Sequence, residues 1–589
     1  MKKITKFLAP MLSAVCLLGT LPFAACSGTS AGAGGGGTNE DIDHSRTQIY
    51  VFNYAGGYGS DWLAEIKKRF EAEHANESYE DGKKGVQVYV NPIKTGFSSM
   101  TSSILTGSDE VFFGEAGYYN TLLKSGLLAD ISDAVTDTLD EYGETRSIED
   151  KLTKEQKEYY GVKGQDGKTH YYALPHYTSN FGFIYNVDLF DDLGYYVKKG
   201  TEGANPQFIK KDDGKVSKGP DGRTGVIDGV DYSEDDGLPA TYDEFFALCD
   251  QMVDDGVIPV TWGGIAYGAY LNNMRLALAS EAMGLEEMML NYKLNGTAKT
   301  LATANVDGTL NFLGEESIVP ANAYKLAQQS GWYYALSFLE RLTMTDDYHY
   351  SLAFNTGYSH MDAQEDFINA GLDGKTKEIG MLMDGTWWEA EATSAYNRMV
   401  QSKGESYSKM NRNFKMMPIP KPTQAHVDAA ANSGKKQVYT SYDENAPLCF
   451  VKSNVAEWKL PLIKEFMKFC HTDVSLREYT RVTNSLRSFD YTLTESDLSN
   501  MTTFGKSLVS LKVKSDIVFP YSNDPGYTVN EAAYTSGAYL AKSIVGGKSY
   551  SGWYTAFSDS SITPVQYFNG LITYSTQNPI ISISGTPAV

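Results

Sequence analysis

The feature that most constrains the fold is an alternation of strand-like and helix-like segments beginning near Thr47. QIYVFNY (48–54), GVQVYVNPI (85–93) and DEVFFG (109–114) are rich in β-branched and aromatic residues, as buried strands are. After the first of them, the Gly-containing turn AGGYG (55–59) leads to Ser60, a good N-cap, and Leu63, Ile66 and Phe70 then fall on one helical face. A second helix is predicted around Phe97–Leu105. Strands alternating with helices predict an α/β fold with a largely parallel sheet. Ligands of such sheets sit outside the carboxyl ends of the strands. That rule places Tyr54 and the loop to Tyr58 at one rim, and Glu115 and Tyr118 at another.

At 589 residues the chain is too long for one hydrophobic core, so at least two domains are expected. Its formal charge of -22 repels phosphate backbones, which excludes nucleic acid as a partner and disfavours an anionic ligand. With 41 tyrosines, 26 phenylalanines and 7 tryptophans, 13% of the chain is aromatic. Flat rings with polar tips suit amphipathic ligands, although many of them will be core.

Residues 1–25 read as a signal peptide: Lys2, Lys3 and Lys6, an apolar run, then Ala24-Ala25-Cys26. The segment resembles a bacterial lipoprotein signal, with Phe23 where that motif prefers Leu. The resemblance implies that Cys26 becomes a lipidated (palmitate-bearing) N-terminus. Residues 26–45 fit a flexible Gly/Ser-rich leash. No later segment is long and apolar enough to span a membrane. The expected location is the extracytoplasmic face of the cell membrane, with the lipid anchor as the only membrane contact. Of the remaining thiols, Cys249 shares a helical face with Phe245, Leu248 and Met252, after the capping box Thr241-Tyr-Asp-Glu244. Cys470 likewise shares one with Ile463, Phe466 and Met467. Both read as small buried hydrophobes.

Residues 200–238 differ in composition: Gly, Asp and Lys dominate, with turn pairs at Asp213-Gly214, Asp221-Gly222 and Asp228-Gly229. They read as a surface hairpin excursion. Clustered carboxylates allow a calcium site, the one possible cofactor, although the contiguous calcium-loop pattern is absent.

Several segments in fixed order are similar to the extracellular solute-binding proteins of carbohydrate ABC transporters, family 1, the class containing maltose-binding protein. They are SGLLADI (125–131), YALPHYTSNFGFIYN (172–186), LPATYDEFFALCDQMVDDGVIPVTWGG (238–264), IGMLMDGTWWEAE (379–391), NFKMMPIPKP (413–422) and the run from Ser453 to Ser475. The chain is far longer than typical members, with the excess in 200–238, in 280–330 and after about 500.

The resemblance implies a two-lobed periplasmic-binding-protein-like fold, each lobe a mainly parallel sheet flanked by helices. It implies three hinge crossings, near 178–182, 442–446 and 487–490. The N-terminal lobe would be 46–178 plus 446–487, and the other 182–442 plus 490–589. A ligand would be enclosed between the lobes by hinge closure.

A neutral sugar offers C–H faces that stack on rings and hydroxyls that need fixed donors and acceptors. Trp387 occupies the Gly-x-Trp position whose family counterpart stacks on sugar, with Asp384 before it and Trp388 and Glu389 after it. Adjacent tryptophans cannot both enter the core from one strand, which favours Trp387 for the ligand. Trp262 ends a strand at the ligand rim, and Tyr267 and Tyr270 follow in a loop similar to one that supplies a stacking aromatic. Tyr177 and Asn180 at the first crossing, and Asp443 and Glu444 at the second, are further candidates whose alternative role is hinge packing. Arg487 reads as structural, and Trp62 and Trp458 as core or surface.

The resemblance implies a monomeric receptor, not an enzyme, that captures an oligosaccharide and delivers it to ABC permease subunits. The rival readings are an oligopeptide-binding lipoprotein, a glycan-binding protein without a transporter, and an exported glycoside hydrolase, whose opposed carboxylate pair no motif marks.

Overall fold

The computed structural model describes residues 41–579, except 94–96, 115–117, 373, 375, 445–446, 530, 532–533 and 535–539. The signal segment, Cys26 and Glu115 therefore lie outside the described residues. The chain forms two compact units, each assembled from two stretches: residues to Thr178 with Asn445–Ser499, and Ser179–Glu444 with Asn500 onward.

The first unit is built on a five-stranded sheet in the order Val86–Ile93, Thr47–Tyr54, Val111–Phe113, Leu448–Val451, Ala173–Pro175. Val51 faces Val90 on one side and Val111 on the other, both in parallel register. The strand Leu448–Val451 runs against both its neighbours. Ile49, Val51 and Phe52 are buried, as expected for a strand covered on both faces. The helix Trp62–Glu73 seats Trp62, Leu63, Ile66 and Phe70 on this core. Arg487 is fully buried here, its guanidinium over the rings of Trp62, Tyr479 and Phe489. It donates to the carbonyl of His176 and to Nε2 of His471. Burial and then the Arg487 charge hold both histidines well below the usual range, so they stay neutral.

Residues 490–499 also belong to this unit, which puts the third passage at 499/500 instead of 487–490. Asp490 donates its N–H to the Lys151 carbonyl at 2.7 Å and pairs with Arg146 at 2.8 Å. These ties hold the segment to the first unit.

The second unit carries a four-stranded sheet in the order Ile258–Thr261, Ile379–Gly385, Phe181–Asn186, Phe414–Met417. Only Phe181–Asn186 opposes its neighbours; the other three run in one direction. Every residue of Ile379–Gly385 is buried. The stretch after 500 is integral to this unit: Phe504 packs on Trp388, and Ser515–Val518 pairs in parallel with Tyr439–Tyr442. The helix Pro564–Gln577 is tied to the Ala302–Ala304 strand, where Asn569 exchanges two hydrogen bonds with the Ala304 backbone.

Residues 200–238 form short hairpins, including Val226–Ile227 with Val230–Asp231, closed through Asp228 and Gly229 at positive φ. The excursion is not purely a surface feature, because Asp221 and Asp235 are buried in it. Asp221 accepts from the Arg223 N–H at 2.7 Å, Asp235 from the Tyr439 hydroxyl, and Asp236 from the Thr224 hydroxyl at 2.6 Å. Lys514 lies 3.8 Å from Asp235. Burial, with the Asp235 charge added, pushes Asp221 up to about 8. Among the described residues no group of three or more His, Cys, Asp or Glu is gathered to hold a metal ion, so nothing supports the calcium site. Cys249, Cys449 and Cys470 are free and buried. No described helix is long and apolar enough to cross a membrane.

Candidate functional site

In the second unit the parallel strands Ile258–Thr261 and Ile379–Gly385 end at the same sheet edge, where Phe181 begins its antiparallel strand opposite Gly385. The residues following Thr261, those following Gly385 and those preceding Phe181 therefore share one rim.

Trp387 is half-buried there. Its ring folds back over Gly385, where a Cβ would collide with it, so the glycine is what lets the indole lie flat on the strand end. Phe181 backs it, with ring centroids 6.3 Å apart. Trp388 diverges from it because the turn passes at once into the short helix Trp388–Glu391. It is fully buried among Phe367, Phe414 and Phe504 and is core, not ligand surface. Glu389 turns the same way: it is buried and accepts from the Thr502 hydroxyl at 2.8 Å, and burial pushes it up to about 7.

Asp384 is buried one layer beneath the rim. Its Oδ1 accepts from the Gly385 N–H at 2.7 Å and the Tyr270 hydroxyl at 3.3 Å, and its Oδ2 from Gln364 at 3.0 Å. The same Gln364 nitrogen donates to Glu391 at 2.9 Å. Burial first, and the Glu391 charge second, push Asp384 up to about 7. Tyr270 is buried too, edge-on to Phe181 at 5.2 Å. Asp384 and Tyr270 thus support the rim and are not exposed at it.

Trp262 is fully buried, with Phe354 at 5.3 Å and His349 at 5.4 Å against its ring. The expectation that it lines the rim is corrected by this packing: residues 349–354 cover it. Tyr267, half-buried at the start of the helix Tyr267–Met283, is the ring this loop leaves accessible.

The passage residues are tied to one another within the second unit. Asn180 donates to the Tyr442 carbonyl at 2.8 Å and accepts from the Thr386 N–H at 2.9 Å. Asp443 accepts from the Ser179 N–H at 2.8 Å, and Glu444 donates its own N–H back to the Ser179 carbonyl at 2.7 Å. Asn273 donates to Glu444 Oε1 at 3.0 Å. Asp443 and Glu444 are both buried, and their contacts fit the hinge-packing role. Burial pushes Asp443 up to about 7.

In the first unit, Tyr54 lies at the carboxyl end of its strand, half-buried, with its ring over Gly56. Tyr58 is buried: it accepts from the Ser485 hydroxyl at 2.8 Å and meets Tyr177 edge-on at 4.8 Å. Tyr177 and Tyr118 are half-buried. The half-exposed candidates are therefore Trp387, Tyr267 and Asn180 in the second unit, and Tyr54, Tyr118 and Tyr177 in the first.

Sequence reasoning missed Phe181, Phe354, Gln364 and Glu391. Phe181 had a signal, since it lies in the expected first crossing, next to Asn180. Gln364 and Glu391 had none, because only the tertiary fold brings them to Asp384.

No protein-family model and no curated protein matches the chain. Among solved structures, a chitin oligosaccharide binding protein matches 90% of this chain and 99% of its own, at 15% identity and a TM-score of 0.50. The bacterial solute receptor AcbH, described as preferring β-D-galactopyranose, matches 91% of this chain and all of its own at 14% identity, with a TM-score of 0.48. A Bacillus licheniformis sugar transporter protein solved with stachyose matches 90% and 99% at 12% identity, with a TM-score of 0.46. At these identities the likeness concerns the fold, and the first of the three carries it. The chain has the two-domain α/β fold of the solute-binding proteins.

Proposed function

We propose that the protein is a receptor for a neutral oligosaccharide, anchored outside the cell membrane through Cys26, and that it delivers its ligand to an ABC permease. The observation that carries this reading is the Trp387 indole. It is held half-exposed over Gly385 at the carboxyl edge of the second sheet, with Phe181 behind it and the Tyr270–Asp384–Gln364 network beneath. A ring fixed in this way presents an apolar face to a sugar's C–H surface without ordering cost on binding. The acidic chain favours an uncharged ligand. The fold shared with solute-binding proteins supports the same reading, as do the leader and leash, and a receptor of this kind acts as a non-enzymatic monomer. Calorimetry against neutral oligosaccharides of two to six units, with chromatography of the recovered sugar, tests it. Saturable binding with intact ligand is the expected result; hydrolysed ligand, or no binding across the panel, overturns it.

A further inference from the structure

The stretch after residue 500 reaches the same rim. The helix Trp553–Ser560 buries Trp553 and Phe557 and leaves Tyr554 half-buried. Tyr554 stacks on Phe354, with centroids 4.7 Å apart and planes 13° from parallel. It also meets Tyr267 at 5.4 Å, and Phe354 meets Tyr267 at 5.4 Å. The buried Trp262 and the half-buried His349 brace Phe354. Three half-buried rings from three distant parts of the chain thus form one cluster on a rigid base.

The phenols add a second, independent observation. Four tyrosine hydroxyls of this unit are committed to protein, Tyr270 to Asp384, Tyr348 to Asp250, Tyr358 to Asp366 and Tyr333 to the Gly308 carbonyl, while those of Tyr242 and Tyr396 are sealed in the core without a partner. Among the described residues, neither the Tyr267 nor the Tyr554 hydroxyl has a protein hydrogen-bond partner. The cluster therefore offers apolar faces together with uncommitted hydroxyls, the combination that a pyranose ring complements. It is continuous with the Trp387 position. Tyr267 lies one helical turn from Tyr270, Tyr270 contacts Phe181, and Phe181 contacts Trp387.

We infer that Tyr554, with Tyr267 and Phe354, forms a distal subsite that binds a further sugar unit of a neutral oligosaccharide whose first unit stacks on Trp387. The proposal rests on the receptor reading above and deepens it: it makes chain length a property the C-terminal stretch selects. A ligand of one or two units occupies the Trp387 position alone, whereas a longer one also covers the Tyr554 cluster.

The test takes the full chain and the neutral oligosaccharide series that binds it in the calorimetric panel, from the two-unit to the six-unit member. Tyr554→Ala is expected to weaken the long members by roughly 3- to 10-fold, the worth of one aromatic contact, and to leave the two-unit member unchanged. Trp387→Ala weakens every member. Tyr554→Phe keeps the stack on Phe354, and hence the helix, and is expected to lose a smaller part of the affinity for long members only. Equal affinities of wild type and both Tyr554 variants at every length overturn the subsite, and so does an equal loss at every length, while the receptor reading survives either result. A wild-type chain that binds no member of the panel overturns the receptor reading, and the subsite with it.

Discussion

The Tyr270 hydroxyl donates to Oδ1 of Asp384 at 3.3 Å, and this bond joins the helix Tyr267–Met283 to the end of the strand Ile379–Gly385. Tyr270 in turn meets Phe181 edge-on, and Phe181 backs Trp387. The stacking surface is thus braced by a buried polar contact two rings away. Tyr270→Phe keeps the ring and removes the donor, so it should lower unfolding stability by about 1 kcal/mol in a denaturant titration, the net worth of one intramolecular hydrogen bond. Oligosaccharide affinity should change little.

The adjacent tryptophans should separate binding from folding. Trp387→Ala should weaken sugar affinity by ~1–3 kcal/mol, about the value of burying a large side chain, with the melting temperature nearly unchanged. Trp388→Ala empties a site among Phe367, Phe414 and Phe504 and should cost about 3–5 kcal/mol in stability. If Trp387→Ala unfolds the protein instead, the ring is core and the assignment of the rim falls.

Three buried carboxyls, Asp384, Glu389 and Asp443, are each raised to about 7 by burial. Between about pH 4 and pH 7 the folded chain holds protons that the unfolded chain has released. Stability should therefore fall as pH rises through that window, and Asp221, raised to about 8, extends the fall to about pH 8. Asp443→Asn keeps an acceptor for the Ser179 N–H and removes one titrating group, with Lys512 the facing charge. Melting curves at pH 5.5 and pH 8 should differ less in this variant than in wild type. A wild-type melting temperature that rises toward pH 8 would contradict the burial argument.

The anchor prediction concerns Cys26. Labelling with a fatty acid and partitioning into a detergent phase should both disappear in Cys26→Ala, while sugar binding by the released protein persists. Retained labelling would rule out lipidation at this residue.

The first three strands were legible to within two residues at their ends, because a parallel sheet buried on both faces demands continuous β-branched and aromatic runs. Trp387 was singled out through the family resemblance of its Gly-x-Trp position, and the structure leaves its ring half-buried over Gly385. Trp262 was misread because the residues that bury it, His349 and Phe354, are far along the chain and carry no pattern of their own. Trp388 and Glu389 were misread because their partners Phe504 and Thr502 lie beyond the third passage, where no resemblance guided the reading. Strand alternation favoured the right one of the two tryptophans, although the turn into the helix Trp388–Glu391 is what separates them. Alternation could not say how deep Asp384 would sit. Depth is a tertiary property, set here by Gln364 and Tyr270.

In the first sheet, the strand Leu448–Val451 lies between Val111–Phe113 and Ala173–Pro175, antiparallel to both. During synthesis Val111–Phe113 must therefore wait with one edge unpaired, and Ala173–Pro175 without a strand partner in this sheet, until the whole stretch Ser179–Glu444 of the second unit has been made. The second unit waits in its turn, because Phe504 completes the packing around Trp388. Neither half can close on itself while the chain is still short, and contacts this distant in sequence form slowly. Slow closure keeps the nascent chain open for longer, which is the state that the export proposed above requires.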